Sequence, residues 1–190
     1  RPMLAKVVYP AMAEVGGYLY VLGGFDGSEY RKVLYFAKLE KGGALGEWKD
    51  AKAFYPHAIG RTFMTNVGGD LIVAGGFRSD SQGEHITSLI CRGKRGLDGD
   101  VTEWTGEEGL KVASRTLRFS LAEQAGATDG NFLYMAGGRD PDSLGVGTTQ
   151  ASWINPKSGR ITRWQFGPEL PLFGEKGAPQ SARLYLSAAA

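Results

Sequence analysis

The chain carries two histidines, His57 and His85, and a single cysteine, Cys91, in 190 residues. One cysteine excludes an internal disulfide and argues against a cysteine-rich metal site. Cys91 falls on an apolar strand, where a thiol is expected to serve as a small core residue. Glu84 and His85 are neighbours that could share acid–base work in a cleft, but nothing around them selects that role. No serine, histidine and aspartate stand in an order with local support for a nucleophilic triad, so no catalytic residue is assigned. Oxygen ligands crowd together in Asp26-Gly27-Ser28-Glu29 and in Asp140-Pro141-Asp142, a donor type that hard cations prefer. Neither has the spaced ligand series of a calcium loop, and turn geometry by itself favours acidic residues there. No metal and no cofactor are expected.

The elements that would position these groups have a strong signature. Tyr18-Leu19-Tyr20-Val21-Leu22-Gly23-Gly24 returns as Asp70-Leu71-Ile72-Val73-Ala74-Gly75-Gly76 and again as Phe132-Leu133-Tyr134-Met135-Ala136-Gly137-Gly138. Each copy is an apolar run stopped by a glycine doublet, and each follows a turn: Gly16-Gly17, Gly68-Gly69 and Asp129-Gly130. A tryptophan trails each doublet in phase: Trp48, Trp104 and Trp164. Two markers in the same order establish an internal repeat, which outranks any local reading. The doublets end strands and open no helix, so phosphate-cradling glycine fingerprints do not apply.

Between the markers the pattern is that of strands. Residues 9–15, 61–67 and 118–123 form the first run of each unit, and residues 124–131 are a longer first turn in the third. A polar loop follows each doublet, at 25–32, 77–85 and 139–150. The third runs are Val33–Phe36, Ile86–Ile90 and Ala151–Ile154, each leading through a glycine turn to the tryptophan strand. No long window shows helical periodicity. The expectation is an all-β chain with four antiparallel strands per unit.

This order of strand, turn, Leu-Tyr-Val-x-Gly-Gly, loop, aromatic strand, glycine turn and Trp resembles the kelch repeat of β-propellers, over about residues 6–188. The phrase Leu39-Glu40-Lys41-Gly42-Gly43-Ala44-Leu45-Gly46-Glu47-Trp48 is similar to a subtype common in prokaryotic, often cell-surface, kelch proteins. The resemblance implies kelch-type β-propeller blades at about 8–54, 61–110 and 118–171 within a single partial β-propeller over 1–190. Residues 172–190 would begin a fourth blade or supply a closing strand. A sheet with two apolar faces cannot cover either alone, and radial stacking covers both. Gly23, Gly24, Gly75, Gly76, Gly137, Gly138 and the three tryptophans then serve structure. Burying one such Trp is worth about 2–3 kcal/mol.

Three blades and a strand do not close a ring, which needs about four to eight. The expectation is a piece of a longer chain whose remaining blades complete it, with self-association as the alternative. Arg1 in place of an initiator Met also suggests a processed or trimmed start.

In such blades the loops after the doublets and the connections between blades emerge on one face, since antiparallel strands send alternate loops to opposite ends. The residues opening the innermost strands align as Tyr9, Arg61, Arg118 and Arg183, with His57 and Arg115 on the connections. Kelch adaptors use such arginines to hold acidic peptides, and a guanidinium grips a carboxylate through two hydrogen bonds. The alternative is that each Arg pairs with a local acid and closes the channel. Kelch-like oxidases need a copper site with two His, two Tyr and a cross-linked Cys, which His57, His85 and Cys91 do not compose.

Bulk properties narrow the partners. The chain has 22 basic and 20 acidic side chains, too even a balance for a broad nucleic-acid footprint. No stretch approaches the roughly 20 apolar residues of a membrane span. The reading is a non-catalytic binding or assembly module for a protein or glycan partner, an acidic group being favoured. A carbohydrate-active or oxidase-type enzyme with its catalytic residues on other blades, and a structural spacer of a surface assembly, are the alternatives. The surface-type phrasing favours an exported or cell-surface protein over a cytoplasmic one.

Overall fold

Each apolar run that ends in a glycine doublet pairs with the run before it across a tight turn. In the first unit β1 (Ala11–Val15) and β2 (Tyr18–Leu22) pair antiparallel, with Val15 opposite Tyr18. The two turn residues are Gly16 and Gly17, at φ +57° and +80°, the left-handed pair that a two-residue hairpin loop demands. The computed structural model describes residues 5–106, 122–142, 145–155, 160–168 and 170. Among these the chain is all-β, and the only helical element is the 3-10 turn Lys41–Gly43.

The first sheet runs β1-β2-β3-β4, with β3 at Leu34–Lys38 and β4 at Lys49–Asp50. The connection out of it contains β5 (Ala58–Gly60). The second sheet holds β6 (Phe63–Val67), β7 (Asp70–Ala74), β10 (Ile90–Arg95) and β11 (Val101–Thr105), in the order β6-β7-β10-β11. A small fourth sheet joins β5 to β8 (Phe77–Asp80) and β9 (Gly83–Ile86). The third sheet runs β12 (Ala125–Thr128), β13 (Phe132–Ala136), β14 (Thr149–Ile154) and β15 (Ile161–Phe166). The edge strands β1, β6 and β12 lie side by side in that order in space. Among the described residues the sheets do not close into a barrel, and their arrangement is compatible with a partial propeller.

Strand alternation explains why the sheets stack. Along β7, Leu71 and Val73 point into a core shared with Tyr20, Leu22, Leu34 and Phe36 of the first sheet. Ile72 and Ala74 point the other way, into a core with Leu133, Met135, Ile154 and Ile161 of the third. All four of these β7 residues are buried. A strand apolar on both faces must lie between two layers, because successive side chains leave opposite faces. Cys91 is fully buried in the core between the first and second sheets.

The structure corrects three strand placements. The first described strand of the third unit is Ala125–Thr128, within the residues read as a turn, and the turn after it is short, with Thr128 opposite Leu133; of the expected run 118–123, residues 118–121 lie outside the described residues. Its residues are small because the neighbouring innermost strand presses a ring on them: a Cβ on Gly126 would stand 2.7 Å from Phe63 Cζ. Small residues carry little hydrophobic pattern, so the run escapes periodicity. The segment 77–85 is not a loop but mostly the hairpin of β8 and β9, whose side chains are half-buried or exposed. That hairpin consumes Ile86, so the third strand of the second unit starts at Ile90 instead.

Candidate functional site

The glycine doublets turn the chain onto one end of the sheets. Gly23 and Gly24 lie at φ +62° and +89°, and a Cβ on Gly23 would stand 2.1 Å from the carbonyl oxygen of Ile59. No other residue fits there without displacing backbone. The other two doublets repeat the conformation: Gly75 and Gly76 at +64° and +107°, Gly137 and Gly138 at +64° and +98°. Beyond each doublet the chain bridges to the segment that leads into an innermost strand. Phe25 pairs with Val8, Arg31 with Ile59, and Arg139 with Ala122. In the second unit the same pairing grows into the β5-β8-β9 sheet. The loops after the doublets and the described segments leading into β1, β6 and β12 therefore share one face, as strand alternation predicts.

Three residues on that face repeat a strained backbone. Tyr9, Arg61 and Glu123 lie at φ +57°, +53° and +59°, each two residues before its innermost strand. They are also hydrogen-bonded in series: Arg61 N–H donates to Tyr9 O at 3.0 Å, and Glu123 N–H donates to Arg61 O at 2.9 Å. The side chains add to this. The Arg61 guanidinium lies over the Tyr9 ring at 4.3 Å and near the Phe77 ring at 5.3 Å. It ion-pairs with Glu123, whose side chain is 1% exposed, and Arg139 Nε stands 3.5 Å from the other Glu123 oxygen. Burial raises the pKa of neighbouring Tyr30, against the lowering field of Arg61.

The third-unit counterpart of Tyr9 and Arg61 is thus Glu123, in place of the Arg118 that the first-run alignment supplied. The signal was in the sequence: Tyr9, Arg61 and Glu123 each stand 14 residues before the first glycine of their doublet. Arg115, Arg118 and Arg183 lie outside the described residues. Arg61 pairs with the buried carboxylate of Glu123, which comes from the next unit.

A cleft of about 490 Å³ opens on the same face between the first and second units. Glu29, Tyr30, Arg31 and Lys32 line it from the first loop, Phe54 and His57 from the connection, and Ser79 and Asp80 from β8. This brings His57 together with Glu29, Arg31 and Asp80 of the loop face and with Lys32, Phe54 and Ser79, which the sequence did not single out. Behind the cleft, Asp26 builds the loop: its Oδ1 accepts hydrogen bonds from the N–H groups of Ser28 and Glu29, at 2.9 and 3.0 Å, and from the Ser28 hydroxyl at 2.8 Å. The Glu29 and Ser28 amides hold the Asp26 pKa down at about 2. Arg31 is fixed between Asp26, at 3.2 Å, and Glu29, at 2.9 Å. Asp80 is held below the usual carboxylate range first by the Gln82 amide, with His85 and Arg78 helping. Phe54 is 55% exposed, and the Lys32 ammonium stands 5.7 Å from its ring centre.

Two further hollows mark the sheets. Strands β1, β6 and β12 line a half-open channel of about 560 Å³, with Met12 exposed in it. The outward layer of the third sheet exposes Tyr134 beside a hollow of about 350 Å³ lined by Ala127, Ala136 and Ala151. Of the tryptophans, Trp48 packs with Val21, Tyr35 and Ala37, Trp104 with Tyr55, and Trp164 against the core between the second and third sheets. His85 Nε2 is 3.7 Å from Asp80, and Cys91 is buried. Among the described residues no three His, Cys, Asp or Glu side chains gather to hold a metal ion. No described helix is long and apolar enough to cross a membrane.

No family model matches this chain, and no curated protein does. Among solved structures, YjhT is similar in fold, with a TM-score of 0.66 over 93% of this chain at 12% sequence identity. The match covers 54% of that protein, so this chain spans about half its length. At this identity the likeness speaks for fold alone.

Proposed function

We propose that this chain is a kelch-type β-propeller segment of about three blades, acting as a non-catalytic binding module through its loop face. The repeated doublet conformation, the side-by-side innermost strands and the fold of YjhT support the architecture. One observation carries the function: side chains from two successive units converge on the cleft beside His57, on loops seated on rigid sheets. Loops of that kind are where binding residues concentrate. The partner is a protein or a glycan. The test is a screen of the chain against a glycan array and a displayed peptide library, repeated with Arg31→Ala and His57→Ala. The reading expects at least one ligand whose binding both substitutions weaken. Ligands that bind parent and variants equally would refute it.

Assembly is a second role with its own support. The outward layer of the third sheet is an apolar surface of the kind that marks association, and it would take a further blade or another copy of the chain. Sedimentation of the parent against Tyr134→Asp measures this: the parent self-associates and the variant does so less. A parent that stays monomeric removes the self-association reading.

A further inference from the structure

We infer that the cleft between the first and second units takes an uncharged carbohydrate, a narrower statement that rests on the loop-face reading. Charge comes first. At the cleft and directly behind it stand three carboxylates, Asp26, Glu29 and Asp80, and three cations, Arg31, Lys32 and Arg78. Arg31 is held by two of those carboxylates, and Arg78 Nε lies 3.1 Å from Asp80. The cations that would grip a phosphate or a carboxylate are largely spent on the protein's own acids. The site therefore has little net field with which to select an ion.

What remains is a mixed set of donors and acceptors beside the exposed Phe54 ring, which has the Lys32 ammonium 5.7 Å from its centre. Carboxylate oxygens of Glu29 and Asp80 accept, and the Lys32 ammonium, the Arg31 guanidinium and the Ser79 hydroxyl donate. Pairing holds Arg31, Glu29 and Asp80 in place before any ligand arrives, which lowers the cost of binding. A sugar hydroxyl both donates and accepts, so it uses such a mixed set fully. A sugar's C–H face needs a flat apolar surface, and Phe54, 55% exposed at the edge of the cleft, supplies one. The volume of about 490 Å³ lies in the size range of small-ligand sites.

Calorimetric titration of the chain with cellotriose, maltotriose and chitotriose tests this, with trigalacturonate as the acidic counterpart, each at low and high salt. At least one neutral trisaccharide binds, with an affinity that salt leaves unchanged. Phe54→Ala weakens it about tenfold or more, while Met12→Ala in the half-open channel has no effect. Phe54 is exposed, and an unchanged melting temperature shows that its variant still folds. Failure of all three neutral sugars overturns the inference, as does binding by trigalacturonate alone, a steep loss with salt, or indifference to Phe54→Ala. If neutral sugars fail but an acidic or peptide ligand is lost in His57→Ala, the inference falls and the loop-face reading stands. If no ligand of any class responds to either substitution, both fall.

Discussion

Trp104 and Gly93 form a pair whose energetics test the stacking of the sheets. They stand opposite each other on β11 and β10. The indole meets Tyr55 edge-on, with ring centres 4.9 Å apart, and donates its Nε1–H to Ala53 O at 3.1 Å. Tyr55 and Ala53 belong to the connection from the first unit, so Trp104 ties the second sheet to the first. Truncating a core Trp costs about 3–5 kcal/mol, and the partial exposure of this one points to the lower end. At about 2–4 °C per kcal/mol for a chain of this size, Trp104→Ala should melt about 6–12 °C below the parent. Gly93 sits under the indole: a Cβ there would stand 2.8 Å from Cη2 and Cζ3. Gly93→Ala alone is therefore overpacked, at a cost of about 1–3 kcal/mol. In the Trp104→Ala background the new methyl has room, so the double variant should recover about 1 kcal/mol or more relative to additivity. Urea denaturation of the four proteins measures the cycle. Additive effects, or a Trp104→Ala protein that melts with the parent, would refute the packing described for this strand pair.

Two further outcomes follow from the loop face. Arg61→Ala leaves Glu123 buried with Arg139 as its remaining cation, and losing one partner of a buried pair costs about 3–5 kcal/mol. Arg61→Lys should not restore stability, because an ammonium cannot reproduce the planar stack on Tyr9; full stability of either variant in urea would contradict the pairing. Asp26 gives a pH signature. Its folded pKa, about 2, lies below its ordinary value of 3.8, so its contribution is present above pH 3.8 and is lost as pH falls towards 2. An NMR titration should place the Asp26 midpoint near 2, and Asp26→Ala should flatten that part of the acid stability curve. A midpoint near 3.8 would mean that the loop does not hold this carboxylate.

What the sequence settled by itself was whatever repeats and alternates. The doublets, the turns before them and the apolar runs between have chemical signatures that neighbours cannot override, because a φ near +60° beside a foreign carbonyl admits only glycine. The all-β class and the two-faced β7 follow from that spacing. The 14-residue step to Tyr9, Arg61 and Glu123 was equally legible, although the identity of the residue changes from ring to cation to acid. The tertiary structure alone decided the rest. Ala125–Thr128 is a strand because Phe63 leaves room only for small residues, and no local pattern records a neighbour's ring. The β8–β9 hairpin forms from polar residues because backbone pairing with β5 needs no apolar face. The cleft exists because two loops far apart in the chain are turned to the same side, and proximity between distant side chains is a property of the packed sheets.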